Sequence, residues 1–155
     1  MAAMRIALYQ PDIPQNTGTI LRLGACLGVA VDLIEPAGFD ASDRNLRRAG
    51  LDYLEHVQLV RHRSWEAFLA DRAPGRLVLL TTAAEGSYLE FAFRVDDVLL
   101  LGRESAGAPE HVHARADARV RIPMRRDLRS LNIAVAAAMV LGEGLRQVGG
   151  FGVVD

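Results

Sequence analysis

Short runs of valine, isoleucine and leucine alternate along the chain with segments in which apolar residues recur at helical spacing. This alternation is typical of an α/β fold, in which a sheet carries helices on its faces. The run lengths and the turn residues that flank them predict six strands, at residues 5–9, 31–35, 57–60, 77–81, 98–101 and 120–122.

The first helix is expected between the first two strands. Asn16 or Thr17 has the side-chain oxygen that a helix cap needs, and Gly28 is the residue type that commonly ends a helix. Apolar spacing predicts that this helix runs to about residue 27. Its buried stripe is expected to consist of Ile20, Leu23, Cys26 and Leu27.

Two short helices are expected in the middle of the chain. Ser42 is expected to cap a basic helix that Gly50 closes. Ser64 is expected to begin another that continues through residue 73, because Pro74 stops it there.

The longest helix is expected from Ser130 to about residue 148, with Gly149 and Gly150 at its end. Its residues are small and apolar on nearly all sides, which predicts burial in the core or against a partner chain. The smoothest apolar run, residues 133–141, is much shorter than the roughly 20 residues that cross a bilayer. We therefore expect no membrane span.

Composition indicates one globular domain, covering residues 1–155. Half of the residues are hydrophobic, 24% are charged, and the formal net charge is −1. The single cysteine, Cys26, excludes a disulfide framework and a cysteine-rich zinc site, and it fits a reducing cytoplasmic compartment. The first residues lack the apolar stretch of a secretory signal, so we expect a cytoplasmic protein.

All 18 basic residues are arginine. Arginine suits bidentate contacts with phosphate and stacking on bases, although a codon bias would give the same composition. Position is more informative, because residues 103–129 contain seven arginines against four acidic residues. The sequence thus predicts a local basic patch on a nearly neutral protein.

Several familiar sites do not fit the sequence. Glycines 102 and 107 have the spacing of a phosphate loop, but Ala108 and Pro109 stand where lysine and serine or threonine are required. The serine elbow of hydrolases and the dinucleotide fingerprint are absent as well. His111 and His113 could give two metal ligands from one strand, but without further ligands nearby they are better explained as solvated loop histidines.

Three loops that follow strands remain, and ligands of open α/β sheets bind at the carboxyl ends of strands. The first, 9–18, leads into a helix on which Asn16 and Arg22 could face one site; a helix cap and a surface ion pair are the alternative explanations. The second, 102–107, offers Glu104 and backbone that a ligand can approach closely. The third, 122–132, is rich in arginine, and its Ser130 could be a simple cap.

Three motifs in these loops occur together, in order, in one known family. They are Asn16-Thr17-Gly18 with Arg22, Gly102-x-Glu104-x-x-Gly107, and Ile122-Pro123-Met124 followed by Ser130-Leu131-Asn132. The chain resembles the SpoU branch of the SPOUT RNA 2'-O-methyltransferases over essentially its whole length. Further segments, 35–39 and 46–53, resemble the subgroup that methylates the wobble cytidine or uridine of certain leucine tRNAs.

The resemblance implies a parallel sheet with a deep trefoil knot, with the knot and an S-adenosylmethionine pocket at about residues 77–148 of a homodimer that needs no metal. The implied substrate is the anticodon arm of tRNA. The residues implied to bind the cofactor are Leu80, Gly102, Gly107, Ile122, Met124, Ser130 and Leu131. Those implied to be catalytic are Asn16, Arg22, Glu104, Ser130 and Asn132. Those expected to bind RNA are Arg44, Arg47, Arg48, Arg125, Arg126 and Arg129.

Two other functions stay open at the level of sequence. The same loops could hold another nucleotide in a different α/β enzyme. The chain could also be a noncatalytic RNA-binding or assembly factor with this fold, although the presence of Glu104, Ser130 and Asn132 favours an enzyme.

Overall fold

Six parallel strands form one sheet in the order β3-β2-β1-β5-β4-β6. A computed structural model describes residues 3–49, 53–128 and 130–152 of the chain. The strands are β1 (Arg5–Tyr9), β2 (Ala30–Ile34), β3 (Leu59–His62), β4 (Leu77–Leu80), β5 (Val98–Leu101) and β6 (Ala118–Val120). The helices are α1 (Pro14–Leu27), α2 (Asp43–Arg48), α3 (Trp65–Asp71), α4 (Glu110–Arg115) and α5 (Ile133–Val148), with single 3-10 turns at Leu54–His56 and Tyr88–Glu90. The predicted α/β sheet is confirmed.

Both faces of the sheet are covered, which explains why its central strands are continuous apolar runs. Alternate residues of β1 point to opposite sides, with Ile6 in one hydrophobic cluster and Ala7 in the other. The first side is packed by α1 and α5, and the second side by α3 and α4.

One carboxylate is buried inside the sheet. Asp32 of β2 accepts hydrogen bonds from Arg5 of β1 at 2.9 and 3.1 Å and lies 2.8 Å from Nε2 of His62 in β3. A buried carboxylate needs such partners, because burial without them is costly. The three side chains therefore tie the three neighbouring strands together.

Two predicted helix caps are wrong. Helix α1 begins at Pro14, so Asn16 and Thr17 lie inside its first turn, because proline is favoured at the first helical position. Helix α5 is capped by Asn132, whose side chain accepts from the N–H groups of Ala134 and Val135, and Ser130 lies ahead of it. The predicted caps Ser42 and Ser64 are confirmed.

Other boundaries differ in smaller ways. Gly28 and Gly149 end α1 and α5 in the left-handed conformation, as predicted. Helix α3 stops at Asp71, because Arg72 is already extended ahead of Pro74. Gly50, predicted to close α2, lies outside the described residues. The expected burial of Cys26 is wrong, since the buried positions of α1 are Thr17, Gly18, Ile20, Leu21 and Gly24.

The segment assigned to a loop at His111 and His113 is helix α4. The ring of His111 meets Tyr9 and Trp65 edge to face, so this histidine packs on the second side of the sheet. In the described part of the chain, no group of three or more His, Cys, Asp or Glu side chains is placed to hold a metal ion. Within the same ranges, no helix is long and apolar enough to cross a membrane.

Candidate active site

A cavity of about 300 Å³ opens at the carboxyl ends of β4, β5 and β6. Its walls come from the end of β4, the loop after β5 and the segment between β6 and α5. All seven residues predicted to bind a cofactor line it, namely Leu80, Gly102, Gly107, Ile122, Met124, Ser130 and Leu131. The fold therefore gathers residues from three separate stretches of the chain around one space.

A larger cavity, of about 500 Å³, lies at the amino ends of the strands. Arg5, Ala30, Gln58 and Asp96 are among its lining residues, and none of the residues predicted from the motifs lines it. The cavity at the carboxyl ends is the candidate site, because ligands of open α/β sheets bind there and because the motif residues converge on it.

Two backbone segments approach each other closely in the loop that lines the candidate cavity. A Cβ atom on Gly102 would lie 2.5 Å from the nitrogen of Ala108 and 2.6 Å from the carbonyl carbon of Gly107. Only glycine therefore lets the loop fold back tightly on itself. Leu101, Ile122 and Ile133 are among the other lining residues, and a largely apolar lining of this kind suits a flat heterocyclic ligand.

Glu104 lines the cavity and also touches the first loop. Its carboxylate accepts the N–H of Ile13 at 2.8 Å, at the residue that caps α1. In return, the N–H of Glu104 donates to the carboxylate of Asp12 at 3.1 Å. The loop after β1 and the loop after β5 are thus joined in both directions.

A second link joins the first loop to the third. The side-chain amide of Asn132 donates to the side-chain oxygen of Asn16 at 2.9 Å. The same Asn132 caps α5 through its oxygen. Asn16, in the first turn of α1, therefore lies next to the segment that carries Ser130 and Leu131.

Arg22 stands apart from this cluster. It lies six residues after Asn16, about 120° away around the helix axis, and it does not line the cavity. Its guanidinium rests 4.4 Å from the centre of the Tyr53 ring and donates to the Tyr53 hydroxyl at 3.4 Å. Asn16 and Arg22 therefore lie on different sides of α1, and within residues 3–49, 53–128 and 130–152 the contacts of the Arg22 guanidinium are with the ring and hydroxyl of Tyr53.

Five of the six predicted RNA-binding arginines are exposed, on α2 and in the loop that precedes α5. Arg44, Arg47 and Arg48 lie on α2, where Arg47 pairs with Glu55 at 3.3 Å. Arg125 and Arg126 lie in the loop between β6 and α5. The sixth, Arg129, lies outside the described residues.

Sequence reasoning missed two residues that contact predicted site residues. Asp12 holds the backbone of Glu104, and Tyr53 holds the side chain of Arg22. A carboxylate between two prolines in a loop that follows a strand was the available signal for Asp12. Tyr53 offered none beyond its place in the segment 46–53, because its partner lies thirty-one positions away.

Comparisons with known proteins identify the family. Residues 3–142 match the model of the SpoU rRNA Methylase family. A tRNA (cytidine(34)-2'-O)-methyltransferase of Beijerinckia indica subsp. indica is 66% identical over 146 residues, covering 93% of this chain and 91% of the relative.

Solved structures of related methyltransferases are similar to this chain in fold and sequence. One, which concerns the 2-OH methylation of C/U34 on tRNA, has a TM-score of 0.88 and 45% identity over 96% of this chain and 98% of its own. An AdoMet-bound rRNA methyltransferase from Sinorhizobium meliloti has a TM-score of 0.82 and 28% identity over 93% of this chain and 56% of its own. The chain belongs to the SpoU rRNA methylase family.

Proposed function

We propose that this protein transfers a methyl group from S-adenosylmethionine to the ribose 2'-hydroxyl of cytidine or uridine at the wobble position of tRNA, leucine isoacceptors included. The observation that carries the proposal is the convergence of three family motifs on one cavity at the carboxyl ends of β4, β5 and β6. The name of the relative at 66% identity supports the same reaction and substrate. The tRNA substrate in the name of that bacterial relative also supports cytoplasmic action.

The cavity fits the proposed cofactor. Its size, its apolar walls and the close-packed Gly102 backbone suit an adenosine, and family members are known with AdoMet bound. In the proposal, Leu80, Gly102, Gly107, Ile122, Met124, Ser130 and Leu131 hold it. When bound, S-adenosylmethionine supplies a methyl group on a positively charged sulfur.

The protein's contribution is chiefly positioning, because methyl transfer is a displacement that needs the ribose oxygen in line with the donor. Asn16 and Asn132, already paired at 2.9 Å, and the nearby Ser130 and Glu104 form the polar shell that orients the ribose. Arg22 stabilises the negative charge that develops on the ribose oxygen. It does not take the proton, because a guanidinium is a hydrogen-bond donor without an acceptor atom; water or a neighbouring group takes it.

A homodimer is part of the proposal, and an exposed apolar stripe supports it. Val135 and Met139 lie one helical turn apart on α5 and are 50% and 40% exposed, and Leu131 and Ile13 are each 40% exposed. Exposed apolar residues in such a stripe are typical of a surface that pairs with another chain. In such a dimer, Arg22 of one subunit serves the cavity of the other.

The C-terminal trefoil knot, at about residues 77–148 of a single domain spanning 1–155, is also proposed. It is supported by the similarity to SpoU structures and by the contacts of the final segment with the β4–β5 connection. Arg121 exchanges backbone hydrogen bonds with Gly86 and Tyr88, and the side chain of Gln147 on α5 binds the backbone of Phe91 and Phe93.

RNA binding is assigned to the exposed arginines on α2 and in the loop after β6, with Arg129 beside them in sequence. Phosphate contacts of this kind make affinity fall as the salt concentration rises, and replacing one of these arginines by alanine should make the fall less steep. The anticodon arm of tRNA is the proposed ligand.

The test is incubation of the purified protein with labelled S-adenosylmethionine and total tRNA, followed by mapping of the modified nucleoside. A 2'-O-methylated nucleoside at position 34 is expected. Binding of tRNA without transfer would indicate a noncatalytic factor, and failure to bind the cofactor in calorimetry would indicate a different nucleotide-binding enzyme. Either result would overturn the proposal.

A further inference from the structure

Asp12 lies in the first loop, and its carboxylate binds the loop after β5. We propose that Asp12 is a positioning residue, whose carboxylate holds Glu104 and the loop 102–107 in the arrangement that binds the cofactor. The inference rests on the proposed function, since it concerns the same cavity.

Asp12 and Glu104 make a reciprocal pair. Oδ1 of Asp12 accepts the N–H of Glu104 at 3.1 Å, and Oε2 of Glu104 accepts the N–H of Ile13, the residue after Asp12, at 2.8 Å. Each carboxylate therefore fixes the backbone of the other's loop. Neither loop can shift along the other without breaking a charge-assisted hydrogen bond.

Two more donors converge on the same carboxylate. The hydroxyl of Ser105 donates to Oδ2 of Asp12, and Nη2 of Arg103 lies 3.7 Å from that oxygen. Burial acts to raise the pKa of Asp12, but the hydrogen bonds from Ser105 and Glu104 and the charge of Arg103 outweigh it and leave that pKa below its usual value. Three consecutive residues of the cavity loop, 103–105, therefore contact the carboxylate of Asp12.

The backbone behind Asp12 is held as well. The N–H of Gly38 donates to the carbonyl of Pro11 at 2.8 Å, and a Cβ atom on Gly38 would lie 2.6 Å from Cβ of Asp12. The loop after β2 therefore packs directly against Asp12. With its side chain only 14% exposed, Asp12 has a fixed place between that loop and the cavity loop.

This pair also connects the cavity to α1. Ile13, bound by Glu104, caps α1, and the first turn of that helix carries Asn16, which pairs with Asn132. The reciprocal pair of Asp12 and Glu104 consequently connects the cavity loop to the start of the helix that carries Asn16.

The experiment measures binding of S-adenosylhomocysteine by calorimetry to wild type, Asp12→Asn and Asp12→Ala. We expect Asp12→Ala to weaken binding about tenfold or more, the size expected when hydrogen bonds to a charged group are removed. Asp12→Asn keeps an acceptor for the Glu104 N–H, so its effect should be smaller. Steady-state assays should show a raised KM for S-adenosylmethionine with little change in the KM for tRNA.

Asp117→Ala is the matched control. Asp117 also accepts a main-chain N–H, that of Leu77 at 2.8 Å. This contact lies at the amino end of β4, whereas the cavity lies at the carboxyl end. If the role of Asp12 were only structural, Asp12→Ala and Asp117→Ala would behave alike. Both would lower thermal stability to a similar extent, and neither would change the cofactor affinity of the folded protein.

A double-mutant cycle of Asp12→Ala with Glu104→Ala should be non-additive in cofactor affinity, because each change removes one of the two hydrogen bonds that join the same pair of loops. Wild-type affinity in both Asp12 variants would overturn the positioning role and leave the proposed function intact. Failure of the wild type to bind S-adenosylhomocysteine would instead overturn the proposed function, and this inference with it.

Discussion

Arg22 lies on the surface of α1, where its guanidinium stacks on Tyr53, and it does not line the cavity of its own chain. A guanidinium in this position can stabilise developing charge but cannot act as a base near neutral pH. We expect Arg22→Ala to lower the single-turnover rate by about a hundredfold or more, the typical effect of removing a charge-stabilising donor. The basic limb of the pH–rate profile should persist, because the group that takes the proton is still present.

Arg63→Ala, which removes an exposed arginine from the β3–α3 connection, is the control and should leave the rate unchanged. A loss of the basic limb in Arg22→Ala, with tRNA affinity retained, would instead make Arg22 the general base. The two roles of Arg22 therefore separate in one measurement.

The sequence predicted which residues line the candidate cavity better than it predicted the hydrogen bonds that these residues make. Ser130, Asn132 and Asn16 are all good cap residues, so local chemistry could not decide among them. Pro14 fixed the start of α1 ahead of Asn16, and Asn132, already bound to Asn16, caps α5. Asp12 was missed because its partners lie more than ninety positions away.

Helix α5 is fixed to the β4–β5 connection by a short chain of polar contacts. Glu143 binds Arg146 at 2.8 Å and Gln147 at 2.9 Å, and Gln147 in turn binds the backbone of Phe91 and Phe93. Hydrogen bonds from Arg146 and then from Gln147 lower the pKa of Glu143 to about 2, from an ordinary value of 4.5. The charged form of Glu143 is therefore the form that steadies the end of α5.

A group whose pKa is lowered by folding stabilises the protein above its unfolded pKa and loses that effect as pH falls through the folded one. We expect Glu143→Gln to lower Tm at neutral pH, and the difference from wild type to shrink as pH falls from 4.5 to about 2. Thermal unfolding at several pH values measures it, with Glu90→Gln, an exposed glutamate on the neighbouring 3-10 turn, as control. A difference that does not change with pH would show that the charge of Glu143 contributes nothing.

At the scale of elements, burial decides which predictions succeeded. Strands β1 and β5, almost wholly buried, have their predicted bounds, because a continuous apolar run marks them clearly. The edge strands β3 and β6 are shifted by about two residues, since they are partly exposed and their apolar runs extend into turns. Helix α4, six residues with one fully buried side chain, Val112, is too short to show a helical period.

At the scale of the whole molecule, the proposed homodimer would supply to each cavity the Arg22 side chain that its own chain does not place there. Arg22 lies outside the cavity, and the apolar stripe at Leu131, Val135 and Met139 adjoins the cavity segment that carries Ser130. A two-fold dimer formed through that stripe uses the same surface twice and creates two equivalent composite sites. The proposed pairing through this stripe could not be derived from periodicity along a single chain, because periodicity does not show which exposed apolar face meets another chain.

Subunit mixing tests this arrangement directly. Arg22→Ala and Ser130→Ala homodimers should each be inactive, because both of their sites lack one residue. When the two are unfolded together and refolded, about half of the dimers are mixed, and each mixed dimer has one site with both residues intact. Activity should then return to about a quarter of the wild-type value. If each site lay within one chain, every site in the mixture would remain broken and no activity would return.

Introducing Val135→Glu into both chains should prevent the recovery, because a buried unpaired charge on the stripe opposes pairing. Recovery of activity with Val135→Glu present would place the dimer interface elsewhere.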